Sequence, residues 1–393
     1  MNELNYSFRL RSVRFTLVLI MISASSLKGQ EINYQTKGGE EMLPIFYEAM
    51  KARQTFPLSW SQSTHNDFTL WKKEARKKVI ESLLQPPPVV PFNDRIIAEE
   101  DRGSYIVRKV VLNITGDSRV LALMTLPKSP GPHPAVLLLH DHGAKFDIGK
   151  EKVIEPFDVL DEKLVSAREW VRRSYGGRFI GDELAKQGYV CLALDMLNWS
   201  DRGAGGYQTQ QALAANFFNM GASFAGVIAW EDMRAAEFLS AHPDVDPKQI
   251  VAMGLSVGGY RTWQLSALSN HITAGVSVCW MATRKGLMVP GNNQTGGHSA
   301  YTMLHPGIPY YLDYPDMASI ACPKPMMFCN GGKDRLFPVE SIGEAHAKMK
   351  EVWKSQDAEE CLVTKIYDAP HEFNLEMQED AFRWLNKIFQ EDR

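Results

Sequence analysis

The stretch Ile250-Val-Ala-Met-Gly-Leu-Ser-Val-Gly-Gly259 constrains this chain more than any other. Four apolar residues in succession describe a strand covered on both faces, and residues 260–268 continue as a helix. Between them stands Ser256, with Gly254 and Gly258 two residues to either side. A serine on so sharp a strand-to-helix turn takes a strained backbone conformation that lifts its hydroxyl clear of the sheet, and a side chain at either flank would strike neighbouring backbone. Ser256 is therefore a candidate nucleophile. The bare Gly-x-Ser-x-Gly spacing arises by chance in about one chain of this length in ten at ordinary glycine and serine usage. The weight falls on what surrounds it.

The surroundings repeat one pattern. Residues 105–114 and 120–126 read as two strands joined across Thr115-Gly-Asp-Ser118, which has hairpin turn chemistry. Unbroken apolar runs follow at 135–139, 189–194, 250–253, 274–279, 325–329 and 362–367, with helical stretches at 179–187, 224–241, 260–268, 339–354 and 377–390. Two opening strands followed by alternating strand and helix predict an α/β protein, a mostly parallel central sheet with helices on both faces. Such sheets bind ligands at the carboxyl ends of their strands. His140-Asp-His142, Ser256, Asp334 and His371 each fall just past a strand end.

The 393 residues suffice for one large domain of this kind, residues 102–393, with an accessory segment before it. At the amino terminus Arg9, Arg11 and Arg14 precede an apolar run at 15–22 and then small residues. That order describes a cleavable export signal over residues 1–29, too short to span a bilayer, and predicts a mature protein that is periplasmic or secreted, without stable membrane insertion. Residues 30–101 read as an amino-terminal helical extension outside the sheet; Asn66 can cap a helix whose stripe is Phe68, Trp71, Ala75, Val79, Ile80 and Leu83, ended by Pro86-Pro-Pro88. Lys plus Arg (43) nearly balances Asp plus Glu (46), and the basic residues are scattered, which excludes a nucleic-acid footprint and points to a small or neutral partner. Five cysteines, Cys191, Cys279, Cys322, Cys329 and Cys361, leave at least one unpaired and show no metal-ligand spacing; none is expected to be catalytic.

A serine hydroxyl needs a base within hydrogen-bond reach, and the base needs a carboxylate to orient its ring. His371, in Ala369-Pro-His-Glu-Phe373 between the last strand and the last helix, is the candidate base. Asp334, in the turn Asn330-Gly-Gly-Lys-Asp334, is the candidate carboxylate, with Asp368 and Glu372 as fallbacks. An acyl transition state also requires two backbone N–H groups aimed at the developing oxyanion. Val257 supplies one, and the loop His140-Asp-His-Gly-Ala144 the other, from His142 or, failing that, Gly143. No metal is expected at His140, Asp141 and His142, because alternate residues leaving a strand point to opposite faces. No cofactor is called for.

At these residues the chain resembles a known group. Trp230-Glu-Asp-Met-Arg-Ala-Ala-Glu-Phe-Leu239, His242-Pro-Asp-Val-Asp246, Gly254-Leu-Ser-Val-Gly-Gly259, Cys322-Pro-Lys-Pro-Met326, Gly332-Lys-Asp-Arg-Leu-Phe-Pro338 and His371-Glu-Phe-Asn-Leu-Glu-Met377 are similar to the dienelactone-hydrolase and acetyl xylan esterase branch of the α/β hydrolases. The resemblance covers most of the chain from about residue 105, and the order Ser, Asp, His is the one that fold requires. It implies a serine carboxylesterase with Ser256, Asp334 and His371 as its triad and Val257 and His142 at its oxyanion positions, removing a small acyl group such as acetyl from a carbohydrate or similar ester. Two departures stand out: Asp141 occupies a position where the family usually has glycine, and Ser256 replaces the cysteine of dienelactone hydrolase proper. The alternatives are a serine peptidase of the prolyl-oligopeptidase type, whose large amino-terminal propeller has no counterpart in the hundred or so residues here, and a non-catalytic glycan-binding protein on the same fold.

Three connections, 145–177, 198–222 and 283–316, are long for simple links and fall on the active-site side of this topology. They carry aromatic residues that can stack on sugar rings; Tyr310 and Tyr311, with Trp280 at the end of the sixth expected strand (274–279), are the substrate-binding candidates.

Overall fold

A computed structural model describes residues 45–203, 205–289 and 297–390. The proposed export signal lies outside the described residues. Among the described residues nine strands form one sheet: β1 (Arg95–Asp101), β2 (Tyr105–Thr115), β3 (Ser118–Pro127), β4 (His133–Leu139), β5 (Val190–Leu194), β6 (Val245–Leu255), β7 (Ala274–Val278), β8 (Met326–Gly331) and β9 (Leu362–Tyr367). Their spatial order is β1-β2-β3-β5-β4-β6-β7-β8-β9. The first three pair antiparallel, β3 meets β5 antiparallel, and the six strands from β5 to β9 run parallel. This is the α/β arrangement expected.

The parallel strands are buried on both faces because their alternate residues feed different cores. From β4, Val136 and Leu138 pack with the helices Asp161–Ser174, Ile180–Lys186 and Leu375–Gln390, while Ala135, Leu137 and Leu139 pack with Phe224–Ser240. A third cluster joins Val257–Leu268 and Val339–Lys354 to the helix Phe68–Ser82. The stripe of that last helix goes inward as expected: Trp71, Ala75 and Val79 are buried, and the Trp71 indole donates to the Leu58 carbonyl at 2.7 Å. Its cap is Asp67, one residue past Asn66; the Asp67 carboxylate accepts from the backbone of Thr69 and Leu70.

One expectation is overturned. Part of the segment 30–101 does belong to the sheet, since Arg95–Asp101 pairs along β2 from Arg95 opposite Val111 to Asp101 opposite Ile106. The strand is an edge strand held by backbone bonds, and all of its side chains but Ala98 are exposed, so no inward face is written into its sequence. All five cysteines are free thiols, four of them buried.

Candidate active site

The elbow after β6 is set by sterics. Ser256 has φ +58 and ψ −125, a strained conformation for a residue with a side chain. A Cβ on Gly258 would stand 1.9 Å from the Leu139 carbonyl oxygen, one on Gly254 2.4 Å from the same atom, and one on Gly259 2.6 Å from the Val278 carbonyl. The turn fits only because those three side chains are absent. Val257 then opens the helix Val257–Leu268, so its N–H is one of the unpaired donors at the positive end of the helix dipole.

Ser256 and His371 line the same cleft, a cavity of about 560 Å³ over the carboxyl ends of β4, β6, β7, β8 and β9. His371 is partly buried, and its Nδ1 lies 2.6 Å from Oδ2 of Asp334, which is almost wholly buried. The other carboxylate oxygen accepts from the Leu336 backbone at 2.9 Å, so both oxygens are spoken for and the aspartate is fixed. Phe337 lies parallel to the imidazole, with ring planes 8° apart. With Nδ1 occupied by the carboxylate, Nε2 is the ring nitrogen left to act as a base. Of the fallbacks, Asp368 pairs with Lys333 on the surface, and Glu372 lines the cleft but its carboxylate accepts from the Asn374 side chain, while the imidazole is held by Asp334.

The loop after β4 forms the opposite wall, with Asp141, His142, Gly143 and Ala144 all lining the cleft. The His142 ring accepts from the Ala144 N–H at Nδ1 (3.0 Å), so the proton sits on Nε2, which donates to the Gln210 side-chain oxygen at 2.8 Å. Burial pushes this imidazole down to about 4, and it is neutral at working pH. His140 points into the protein, where its Nε2 accepts from the Met196 backbone at 2.9 Å. The two histidines thus diverge, as the alternation rule requires. Asp141, the departure from the usual glycine, is buried; it accepts from the Trp170 indole (3.1 Å) and the Tyr175 hydroxyl (2.8 Å), and the Lys152 ammonium stands 3.4 Å from its other oxygen.

All three long connections reach this cleft, through Trp170 and Arg173 of the first, Tyr207 of the second and Ser299 of the third. Of the proposed substrate contacts, Trp280 is at the cleft but only 1% exposed, locked edge-on against Tyr260, Tyr314 and Phe337, so it is chiefly packing. Tyr310 and Tyr311 do not line the cleft: Tyr311 lies under the Lys78 ammonium of the helix Phe68–Ser82, and its carbonyl accepts from Leu58. This part of their connection packs against that helix. Tyr207 does line the cleft, 42% exposed and stacked on the His142 ring.

Among the described residues, two sets of side chains have the spacing of metal ligands. One is Cys279 with Asp334 and His371, the other Glu151 with Asp195 and Asp201. The second set already surrounds the buried Lys150 ammonium, at 2.8, 2.7 and 2.6 Å. Burial drives the Cys279 thiol far above its ordinary range, which keeps it protonated and a poor ligand. Among the described residues no helix is long and apolar enough to cross a membrane.

Comparison with known proteins places these features in a lineage. Over 317 residues the chain is 26% identical to the Bacillus subtilis (strain 168) protein named "Putative hydrolase YtaP", covering 80% of this chain and 99% of that one. Among solved structures, it resembles a "putative acetyl xylan esterase" from Bacteroides fragilis NCTC 9343, with TM-score 0.65, 16% identity and coverage of 88% and 94% of the two chains. A glucuronoyl esterase from Solibacter usitatus aligns with TM-score 0.62 and 14% identity over 85% of this chain and 98% of that one. These likenesses establish the α/β-hydrolase fold. The model of the Abhydrolase family matches residues 42–357, and the chain belongs to that family.

Proposed function

We propose that the protein is a serine carboxylesterase that removes a small acyl group, acetyl above all, from a carbohydrate ester. The observation that carries the reading is the His371–Asp334 pair at 2.6 Å, its imidazole lining one cleft with a serine held at φ +58 on a glycine elbow. Ser256 Oγ attacks the ester carbonyl while His371 Nε2 takes its proton, and Asp334 steadies the imidazolium. The negative oxygen is received by the Val257 N–H and by an N–H of the His142–Gly143 turn. His371 returns the proton to the departing alcohol, and water repeats the sequence on the acyl-enzyme. The fold neighbours named above as esterases support ester rather than amide chemistry, and their names support a carbohydrate-derived substrate. The charged, apolar and small-residue run at the amino terminus supports export to where such substrates lie.

The test is hydrolysis of 4-nitrophenyl acetate and of an acetylated oligosaccharide by wild type and Ser256→Ala. Loss of the nucleophile lowers turnover by about 10⁴-fold or more. Turnover unchanged in Ser256→Ala rejects the serine mechanism.

A further inference from the structure

The candidate oxyanion loop holds a fully buried lysine that the mechanism above does not use. Lys152 Nζ donates to the backbone carbonyl of Asp141 at 2.9 Å and to that of His142 at 3.0 Å. In a trans peptide the carbonyl and the N–H of one unit point in opposite directions. The Asp141 carbonyl shares its unit with the His142 N–H, and the His142 carbonyl with the Gly143 N–H. Other donors help to hold these carbonyls, the His140 ring at 2.9 Å on that of Asp141 and the Trp199 indole at 3.3 Å on that of His142, but among the described residues the ammonium is the one group that bridges the two. Both N–H groups point away from it, and both residues line the cleft. Neither N–H has a hydrogen-bond partner among the described residues. Two consecutive left-handed residues, Gly143 (φ +57) and Ala144 (φ +53), complete the turn.

We infer that Lys152 is a positioning residue for ester hydrolysis: by gripping the carbonyls of Asp141 and His142, it presents the N–H groups of His142 and Gly143 to the oxyanion. This rests on the serine-hydrolase reading of the same site. The charge contributes as well as the grip, since a cation at the carbonyl end of two peptide dipoles strengthens the positive end that faces the substrate oxygen. Asp141 is then the counter-ion that lets an ammonium stay in so dry a place, itself anchored by Trp170 and Tyr175. Burial pulls the Lys152 ammonium downward and Asp141 pulls it back up. A glycine at position 141 offers no such counter-charge, and the departure and the buried lysine belong to one device.

The experiment compares full-length wild type, Lys152→Met and Ser256→Ala. In Lys152→Met we expect kcat to fall about 100-fold, the effect of losing one oxyanion donor, with KM changed less than about threefold. Inhibition by phenylboronic acid, whose serine adduct puts an oxygen in the oxyanion position, weakens in proportion to kcat, whereas competitive inhibition by the product alcohol does not change. A Lys152→Met protein with wild-type circular dichroism and unchanged kcat overturns the proposal, and so does a kcat loss with boronate affinity intact. Should the variant fail to fold, wild-type protein decides: boronate binding moves the amide proton resonance of His142 or Gly143 downfield, and immobility of both refutes the role. Hydrolysis surviving in Ser256→Ala removes the serine reading and this proposal with it; a dead Ser256→Ala beside a fully active Lys152→Met removes only the role of Lys152.

Discussion

Two turns face each other across the cleft, and each brings backbone N–H groups to it by a different means. The elbow after β6 works by subtraction. Gly254, Gly258 and Gly259 leave out the atoms that would touch the carbonyls of Leu139 and Val278, and no titratable side chain lies between Gly254 and Gly259. The loop after β4 works by addition, with Lys152, Asp141, Trp170, Tyr175 and Gln210 converging on residues 141–143. An obstacle made of backbone cannot yield, because β4 is pinned between β5 and β6. A scaffold made of side chains can repack, titrate and be substituted. The contrast teaches that one half of the proposed oxyanion site is rigid by close packing and the other by buried electrostatics.

The sharpest way to break the contrast is to add one methyl group to each turn. Gly258→Ala puts a carbon 1.9 Å from the Leu139 carbonyl, which has nowhere to go. We expect a loss of more than about 4 kcal/mol, in the range reserved for severe core disruption, read as a large drop in urea midpoint together with loss of esterase turnover. Gly143→Ala ranks second. Its new carbon meets the Trp170 ring at 2.3 Å and Asp141 Oδ1 at 2.5 Å, both side-chain atoms, and carries the left-handed penalty of about 1–2 kcal/mol at φ +57. We expect about 2–3 kcal/mol in all and a kcat loss of about tenfold to a hundredfold. Equal destabilisation by the two substitutions shows that the loop is as unyielding as the elbow and ends the distinction.

The same contrast decides what could be read without coordinates. The parallel strands announce themselves because burial on both faces leaves unbroken apolar runs, and β6, β8 and β9 each lead to a residue at the cleft. The elbow is legible because its glycines are needed in their own right. Asp334 and His371 follow from strand ends and chain order. The loop after β4 is opaque: a lysine at 152 reads as a surface residue, since composition places lysine outside unless paired, and its partners lie 11, 29 and 34 residues from Asp141 or, for Gln210, 68 from His142. The helix Asp161–Ser174, which carries Trp170 and Arg173 to the cleft, is too charged to show its narrow buried stripe of Ala167, Trp170 and Val171. β1 is illegible for a related reason, because an edge strand with solvent on its side chains has no inward face to encode. Tyr310 and Tyr311 show the converse, for aromatic content in a long connection does not say which way the connection runs.

The smallest effect tests the electrostatic half alone, through pH. His142 in the folded protein is lowered to about 4 by burial, whereas in the unfolded chain it titrates near the ordinary value of 6.5. The sign follows from proton counting. Between those two values the unfolded chain binds a proton that the folded protein refuses, so stability is highest above pH 6.5 and declines as pH falls toward 4. At pH 5 the cost is about 2 kcal/mol, from a ratio of roughly thirty in the two proton-binding polynomials. Other buried groups titrate in the same interval, Asp195 and Asp316 with the opposite sign because burial raises both carboxyls to about 6. A difference measurement removes them: the urea-unfolding stability of wild type minus that of His142→Asn, taken at pH 7.5 and at pH 5. Wild type loses about 2 kcal/mol against the variant over that range. A pH-independent difference shows that the imidazole is protonated without cost in the folded loop. In that case Nδ1 cannot be accepting from Ala144, and the turn owes its shape to sterics alone, as the elbow does.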